Sequence, residues 1–423
     1  MTKKFNGVIP AKAGIQPHES EFRLKHGMTI EEKGLMTDAN GFRFFGPTEK
    51  ALFIFRPNRF VVTCKLRGKT VNAFLPNPGR LSELLLPETP IYLEKTSNPN
   101  RSLRYTAVAL EREGLRIVLH THKTNEVARY LIESGSIPQL REHEVIRREV
   151  TRGNSRFDFL LKKGKQEMLL EVKSCTLFSK KVAMFPDAVT ARGKKHLEEL
   201  TRLSEDGTSC AVLFLVHWPR AEVFLPDFHT DLEFARAMVD AKDKVGFFPV
   251  SVEWGEDLTI VSGRTKVLPV LWEALEREAE DRGTYLILYS LSRKRLIDIG
   301  GLGRVSFRQG YYIYVGSAMK SLSKRVERHR KVRKKLHWHV DYFSTLADFH
   351  AALAVRSEDD LECELASAMA SISEWSVPGF GCSDCSCASH LFGFSSDPMS
   401  MRKFHEVLQY YRMDRLLEKH LRS

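Results

Sequence analysis

Short apolar runs separated by polar turns dominate the chain from about Phe44 to Leu110. The runs are rich in β-branched and aromatic residues, and Arg-Pro-Asn and Arg-Gly-Lys turns interrupt them, which is typical of consecutive short strands. The predicted strands are Ala51–Phe55, Phe60–Leu66, Thr70–Leu75, Ile91–Glu94 and Tyr105–Leu110. Short strands at this density, about seventy residues in all, indicate a small β-barrel.

From Leu115 onward the pattern changes to alternating helices and strands, which indicates an α/β unit that ends near Ile260. Its predicted elements are a helix at Asn125–Glu133, strands at Phe157–Leu161 and Met168–Lys173, a helix at Ala191–Leu203 and a buried strand at Cys210–Val216. A polar joint and a helix, Leu271–Asp281, then precede a third region that opens with the strand Thr284–Ser290.

These patterns predict a multidomain α/β protein with a small β-barrel, for which the five-stranded oligonucleotide-binding (OB) fold is one candidate. The expected divisions are a poorly ordered leader (1–42), an OB-fold-like nucleic-acid-binding barrel (43–114), an α/β domain (115–262), a linker helix (263–282) and a second α/β domain (283–423).

Charge favours a polyanionic partner. The 423 residues include 65 Lys and Arg against 53 Asp and Glu, a formal net charge of +12. The segment from Lys320 to Lys335 alone holds nine basic residues and one Glu. The sequence contains no apolar run of about 18 residues, so we expect no membrane-spanning helix. Seven cysteines, an odd number in a long chain, argue against a secreted disulfide framework and favour a reducing cytoplasm.

Two carboxylates and a lysine form the first candidate site. Glu171 and Lys173 alternate along one predicted strand and therefore share a face, and a tight hairpin would bring Asp158 beside Glu171. Such a pair of carboxylates can hold Mg²⁺ or Mn²⁺, while Lys173 orients the attacking water at a scissile phosphate. Alternatively, these charged side chains have no catalytic role and simply lie on the solvent-exposed face of a hairpin. The apolar neighbours indicate a largely buried strand, where unused charges are unfavourable.

Several motifs in order resemble the sugar fermentation stimulation protein family, SfsA, over roughly residues 44 to 260. They are Phe74-Leu-Pro-Asn-Pro-Gly-Arg80, Arg156-Phe-Asp158, Glu171-Val-Lys-Ser174 and Phe185-Pro-Asp-Ala-Val-Thr-Ala-Arg-Gly193 with His196. The resemblance implies an OB barrel followed by a PD-(D/E)xK nuclease-like domain at 115–262, and it implies DNA binding. It assigns metal binding to Asp158 and Glu171 and the catalytic role to Lys173.

Basic residues near this site are candidates for nucleic-acid contacts. Arg192 and His196 lie one helical turn apart on one face, where they either contact phosphate or belong to an ordinary solvated helix start. In the barrel region the candidates are Arg56, Arg59 and Arg80. The neighbouring Phe55, Phe60 and Phe74 could stack on bases, but we expect them in the barrel core.

A second candidate site lies in the third region. Gly283-Thr-Tyr285 opens one strand, Tyr314-Val-Gly316 closes another, and Arg325 and His329 follow one turn apart on a helix. With the acidic pair Glu362 and Glu364 and the terminal Gly379-to-His390 segment, this order resembles the GIY-YIG nuclease superfamily and implies a GIY-YIG-like domain at 283–423. The resemblance implies a tyrosine base, an Arg325 that stabilises charge at phosphorus, and a metal-binding glutamate. The gap between the tyrosine motifs is long, and either glutamate could be the ligand.

Two further clusters have spacings that suit metals. His337, His339 and Asp341 alternate and would share one strand face, while Cys382, Cys385, Cys387 and His390 could hold one Zn²⁺ or simply pack. As a whole, the sequence predicts a metal-dependent nuclease that hydrolyses phosphodiester bonds, with DNA as the preferred substrate. The alternative is a non-enzymatic DNA-binding regulatory protein built on nuclease folds. The sequence leaves open DNA versus RNA, the polarity of cleavage and the oligomeric state.

Overall fold

The computed structural model describes residues 42–98, 100–153, 155–331 and 333–422. The predicted leader, 1–42, lies outside the described residues except for Phe42. Within the described ranges, helices are all too short or too polar to cross a lipid bilayer.

The first region is a closed β-barrel, as the sequence predicts. Its strands are β1 (Thr48–Asn58), β2 (Val61–Leu66), β3 (Lys69–Phe74), β4 (Pro90–Lys95), β5 (Tyr105–Arg112) and β6 (Leu115–Val118). Antiparallel pairing gives the order β3-β2-β1-β4-β5-β6, and a parallel pairing of β3 with β5 closes a five-stranded barrel. The sixth strand, β6, which the sequence pattern did not indicate, extends the sheet beyond the barrel.

The middle region contains a mixed six-stranded sheet in the order β15-β14-β12-β9-β8-β7 and a small sheet in the order β10-β11-β13. The strands are β7 (Glu144–Arg152), β8 (Ser155–Lys163), β9 (Gln166–Cys175), β10 (Leu177–Phe178), β11 (Val182–Phe185), β12 (Ser209–Val216), β13 (Val223–Pro226), β14 (Gly246–Ser251) and β15 (Lys266–Val267). The helices are α1 (Thr124–Glu133), α2 (Ala191–Glu205) and α3 (Leu232–Asp240).

Burial of the central strands explains their apolar sequences. The parallel strands β9 and β12 lie between two hydrophobic clusters, one on each face of the sheet, so both strands are apolar along most of their length. The Thr190 hydroxyl accepts a hydrogen bond from the Gly193 amide and begins α2 beside this sheet. Charged side chains on β9 are therefore exceptions to the pattern and mark the site described below.

The C-terminal region is a five-stranded antiparallel sheet in the order β20-β16-β19-β22-β21, with a separate β17–β18 hairpin. The strands are β16 (Gly283–Leu291), β17 (Arg295–Ile299), β18 (Gly303–Phe307), β19 (Gly310–Ala318), β20 (Asp348–Arg356), β21 (Trp375–Ser376) and β22 (Leu391–Phe394). The helices are α4 (Trp272–Glu278), α5 (Leu322–Arg330), α6 (His339–Phe343), α7 (Glu362–Ile372), α8 (Arg402–Gln409) and α9 (Arg415–Arg422), with a π-helical turn at Tyr410–Asp414.

Two predicted elements differ from the structure. The helix expected at Leu271–Asp281 is shorter, because it ends at Glu278. The strand expected through His337 and Asp341 is wrong: Asp341 lies inside α6, where it accepts hydrogen bonds from the backbone amides of His337 and Trp338. A buried carboxylate that caps this turn favours a helix over the alternating strand pattern.

Buried hydrogen bonds connect the C-terminal region to the middle region. The His229 Nδ1 accepts from the backbone amide of Arg356 at 2.9 Å, so its Nε2 carries the proton and donates to the Arg412 carbonyl at 2.7 Å. The Gln409 side chain donates to the Phe178 carbonyl at 2.6 Å. Separating the two regions would leave these buried polar groups without partners, so experiments should use the full chain.

Candidate active sites

The β8–β9 hairpin brings the first predicted carboxylates together. The antiparallel register ends at the pair Phe159–Leu170, so Asp158 and Glu171 are the next residues on the two strands. Glu171 and Lys173 share a face of β9, and all three side chains line one cleft. The apolar strand residues that alternate with them are buried and fix this orientation.

Two cationic or hydrogen-bonding partners hold Glu171 in place. Its Oε1 accepts from Lys173 Nζ and, at 2.6 Å, from His196 Nδ1 on α2. Burial acts to raise the pKa of Glu171, but hydrogen bonds from His196 and Lys173 outweigh burial, so the net pKa is lowered and the carboxylate is ionised. The second oxygen, Oε2, is buried without a hydrogen-bond partner among the described residues.

Asp158 is fixed by two donors. Its Oδ1 accepts from Asn125 Nδ2 and its Oδ2 from the Val172 backbone amide, each at 2.7 Å. Burial raises the pKa of Asp158, and the nearby charge of Glu171 adds to this rise because two carboxylates repel each other. A divalent cation would remove this repulsion and give the unpartnered Glu171 oxygen a ligand role, so these residues fit Mg²⁺ or Mn²⁺.

Cations predicted to bind nucleic acid fall into different environments. Arg59 and Arg192 are exposed and line the same cleft as Asp158. His196 is buried and hydrogen-bonded to Glu171, an environment that does not suit the predicted contact with phosphate. Arg80 is exposed but lines a separate cavity between the middle and C-terminal regions.

Arg56 serves the backbone of the barrel, contrary to its predicted role in binding nucleic acid. Its guanidinium donates to the carbonyl oxygens of Asn77, Gly79, Arg80 and Arg59 at 2.6–3.0 Å. Burial lowers the pKa of Arg56 below its ordinary value. These contacts hold the 77–80 loop against the cleft. The loop approaches Asp187 so closely that a Cβ on Gly79 would lie 2.3 Å from the Asp187 carboxylate.

The expected burial of the barrel phenylalanines is also wrong for two of them. Phe55 is 54% exposed and Phe60 is 47% exposed, whereas Phe74 is partly buried and stacks under the Arg101 guanidinium at 4.9 Å. Exposed aromatic rings beside Arg59 are unusual on a polar barrel surface. Each exposed ring is a surface on which a base could stack.

The C-terminal region assembles a second pocket from the predicted residues. The register pairs Tyr285 of β16 with Gly316 of β19, which brings Tyr314 near Tyr285 at a ring separation of 6.4 Å. Arg325 of α5 and Glu362 at the start of α7 line the same pocket. The other candidate glutamate, Glu364, is exposed and does not line it, so the structure distinguishes the two.

The glycine of the second tyrosine motif allows this approach. A Cβ on Gly316 would lie 2.6 Å from the Tyr285 hydroxyl oxygen, which is too close for any other residue without a shift. The Tyr285 hydroxyl lies 2.9 Å from His329 Nε2, and His329 is buried. Burial lowers the pKa of His329 to about 3, so the ring is neutral. Burial raises the pKa of both Tyr285 and Tyr314, and the charge of Arg325 partly opposes this rise.

Trp338 is a pocket residue that the sequence pattern missed. Its ring lies under the guanidinium groups of Arg325, at 4.4 Å, and Arg328, at 4.2 Å. Arg328 also forms a bidentate pair with buried Asp341, both contacts at 2.8 Å. This arrangement fixes Trp338, which in turn orients the Arg325 guanidinium towards the pocket. The position of this tryptophan between His337 and His339 is the sequence feature that could have identified it as a pocket residue.

The predicted zinc ligands are corrected at one position. Cys385, Cys387 and His390 lie together, but the third cysteine of this cluster is Cys363 of α7, and Cys382 lies outside it. The ligating atoms of Cys363, Cys385, Cys387 and His390 all lie within 4.8 Å of one another. Local spacing could not indicate Cys363, because it stands 22 residues before Cys385.

Comparison with protein families divides the chain into matched segments. Residues 54–119 match the SfsA N-terminal OB domain, and residues 122–257 match the sugar fermentation stimulation protein RE domain. Residues 284–413 match the domain of unknown function DUF123.

Individual relatives match about half of the chain. A sugar fermentation stimulation protein homolog of Clostridium kluyveri is 39% identical over 220 residues, which are 52% of this chain and 96% of the relative. A homolog of Methanothermobacter thermautotrophicus is 40% identical over 186 residues, 44% of this chain and 78% of the relative.

A solved structure has the same fold over this part. The structure of Pyrococcus furiosus SfsA in complex with Ca²⁺ is 27% identical, has a TM-score of 0.50 and covers 53% of this chain and 96% of its own. The matched part covers 96% of the Clostridium kluyveri relative and of the Pyrococcus furiosus structure, and 78% of the Methanothermobacter thermautotrophicus relative. The chain therefore belongs to the sugar fermentation stimulation protein family, with a DUF123 domain following the shared part.

Proposed function

We propose that this protein is a metal-dependent nuclease whose main site is Asp158, Glu171 and Lys173. The observation that carries the proposal is the buried, unpartnered Oε2 of Glu171 opposite Asp158, with a lysine two residues away on the same face. A protein that only binds nucleic acid has no need of two clustered carboxylates in a cleft that should receive phosphate. The Ca²⁺ of the Pyrococcus furiosus structure supports a divalent cation in this family.

The proposed roles follow from the chemistry of the side chains. Asp158 and Glu171 would hold Mg²⁺ or Mn²⁺, which supplies charge stabilisation at a scissile phosphate and a more acidic water. Lys173 lies beside Glu171 and would orient that water. His196 holds the Glu171 carboxylate in its ionised form and in one orientation. Arg59 and Arg192, exposed in the cleft, would bind the flanking phosphates.

Nucleic acid is the proposed substrate, and DNA the proposed kind. The OB barrel, the exposed rings of Phe55 and Phe60, and the adjacent Arg59 combine the two features that bind single-stranded nucleic acid, which are aromatic platforms and cations. The barrel surface and the metal cleft share Arg59, so one bound strand could reach both.

A second candidate function is favoured by the C-terminal pocket. Tyr285, Tyr314, Arg325 and Glu362 line it together, as in the GIY-YIG-like arrangement that the sequence resembles. We propose that this pocket is a second phosphodiester-cleaving site, in which Glu362 would hold a divalent cation and Arg325 would stabilise charge at phosphorus. Because burial raises the pKa of both tyrosines, either one would act as a base only beside a cation.

Full-chain variants separate the two proposed sites. Asp158→Asn and Lys173→Ala remove the first site, Arg325→Ala removes the second, and Asp158→Asn with Arg325→Ala removes both. Each is assayed with Mg²⁺ or Mn²⁺ on single- and double-stranded DNA and RNA. Lys162→Ala, exposed at the other end of the hairpin, and Arg304→Ala, exposed on β18, are the matched controls.

We expect Asp158→Asn and Lys173→Ala to lose most of the cleavage while they still bind nucleic acid. Any cleavage that remains should disappear in the double variant, and both control variants should cleave as the wild type does. Full activity in Asp158→Asn and Lys173→Ala would refute the main site. Binding by the wild-type chain without cleavage under any of these conditions would favour the non-enzymatic, regulatory alternative.

A further inference from the structure

Three thiols and one imidazole converge beside the C-terminal pocket. Cys363 is the second residue of α7, Cys385 and Cys387 lie in the loop before β22, and His390 immediately precedes that strand. Their ligating atoms lie within 4.8 Å of one another, although Cys363 and Cys385 are 22 positions apart in the sequence. All three cysteines are free thiols.

The spacing of these atoms suits a tetrahedral zinc ion. Zinc binds thiolate at about 2.3 Å and imidazole nitrogen at about 2.0–2.1 Å, so sulfur and nitrogen ligands at a tetrahedral angle are about 3.6 Å apart. The Cys385 sulfur lies 3.5 Å from His390 Nε2. Thiolate and imidazole ligands in a set of four are typical of structural zinc sites and not of Mg²⁺ or Ca²⁺ sites.

The histidine is already oriented as a metal ligand. His390 is buried, and its Nδ1 donates to Glu362 Oε1 at 2.8 Å, so the neutral ring presents the lone pair of Nε2 to the Cys385 sulfur. A carboxylate that accepts from the far nitrogen of a zinc-binding histidine is a recurring arrangement that fixes the ring and strengthens the ligand. The same Glu362 lines the proposed second cleavage pocket.

We infer that Cys363, Cys385, Cys387 and His390 form a structural Zn²⁺ site. The ion would fasten the 379–390 loop to the start of α7, since its ligands come from both. Gly381, Ser383 and Asp384 of this loop line the pocket, so the site would hold one wall of the pocket and the Glu362 carboxylate in place. This inference goes beyond the proposed function, because it requires no cleavage activity.

Metal content of the full-length chain tests the site. Protein prepared under reducing conditions with zinc supplied should contain one zinc per chain by elemental analysis, and Cys363→Ser should reduce the content to near zero. Cys382→Ser is the matched control, because Cys382 lies in the same loop but outside the cluster. It should keep a full equivalent of zinc. Circular dichroism of each variant checks that the fold is retained.

Two further measurements keep the test decisive if Cys363→Ser unfolds. Co²⁺ added to the metal-free wild-type chain should give the visible and sulfur-to-metal absorption bands of a tetrahedral thiolate site. Glu362→Gln should weaken zinc binding by about 10–100-fold, because the histidine loses its charged acceptor. A metal-free wild-type chain that gives no such bands, or zinc lost equally in Cys363→Ser and Cys382→Ser, would overturn the inference. Neither result depends on whether the chain cleaves nucleic acid.

Discussion

His196 offers the sharpest test of how the middle site works. The sequence suggests a phosphate-binding residue, whereas the structure buries the ring and sets its Nδ1 2.6 Å from the Glu171 carboxylate. We therefore expect His196→Ala to impair metal binding through Glu171 rather than binding of nucleic acid. His196→Asn should restore part of the function, because the amide nitrogen of Asn can donate from nearly the position of Nδ1.

The magnitude follows from the contacts of Glu171 Oε1. That oxygen has two partners, His196 and Lys173, so the alanine variant keeps one. A hydrogen bond to a charged group contributes about 1.5–3 kcal/mol. This matches the loss of about 10–100-fold in metal affinity that follows removal of a residue supporting a metal ligand. The Kd for Mn²⁺ should rise by that factor.

Calorimetry or electron paramagnetic resonance measures the Kd for Mn²⁺, and cleavage is followed across a Mn²⁺ titration. In His196→Ala the curve should shift to higher Mn²⁺, with much of the wild-type rate recovered at saturation. Lys195→Ala, exposed on the same turn of α2, should behave as wild type. Unchanged Mn²⁺ affinity in His196→Ala, or equal losses in His196→Asn and His196→Ala, would refute the positioning role.

Three further predictions concern stability and binding. Burial raises the pKa of Glu83 to about 7, whereas the pKa of an unfolded Glu is about 4.3, so the free energy of unfolding falls as pH rises from 4.3 through 7. In urea unfolding, Glu83→Gln should be about 3 kcal/mol more stable than the wild type at pH 8 and equal to it at pH 4. Gly316→Ala places a Cβ 2.6 Å from Tyr285 and 2.9 Å from Tyr314, so we expect a loss of about 1–3 kcal/mol in the free energy of unfolding. Exposed cations such as those between Lys320 and Lys335 should make affinity for DNA fall steeply with salt, and a flat log–log plot would contradict this.

Much of the local structure could be predicted from the sequence. The five barrel strands, the Asp158–Glu171 hairpin and helices α1 and α2 all occur where periodicity and turns indicate them. Such elements depend on neighbours within a few residues, whose alternation or helical spacing decides which face is buried. The hairpin also brings Asp158 and Glu171 to one cleft, because a tight turn leaves few registers that bury the apolar residues.

Contacts between segments that are distant in the sequence could not be predicted from these local patterns. His196 meets Glu171 across 25 residues, and His390 meets Glu362 across 28. The spacing of nearby cysteines favoured Cys382, while the packing of α7 against the loop supplies Cys363 instead. The choice between Glu362 and Glu364 was likewise decided by the rotation of α7, which turns only Glu362 into the pocket.

The sequence by itself therefore determined the kinds of chemistry in this protein: paired carboxylates with a lysine, tyrosines with an arginine, and a cysteine-rich loop. The tertiary structure decided which side chains meet and which are exposed. It turned His196 inward and left Phe55 in solvent, although both were expected the other way round. The physical reason is that secondary structure follows local periodicity, whereas a site is formed by side chains from separate elements, and their positions depend on how the whole core packs.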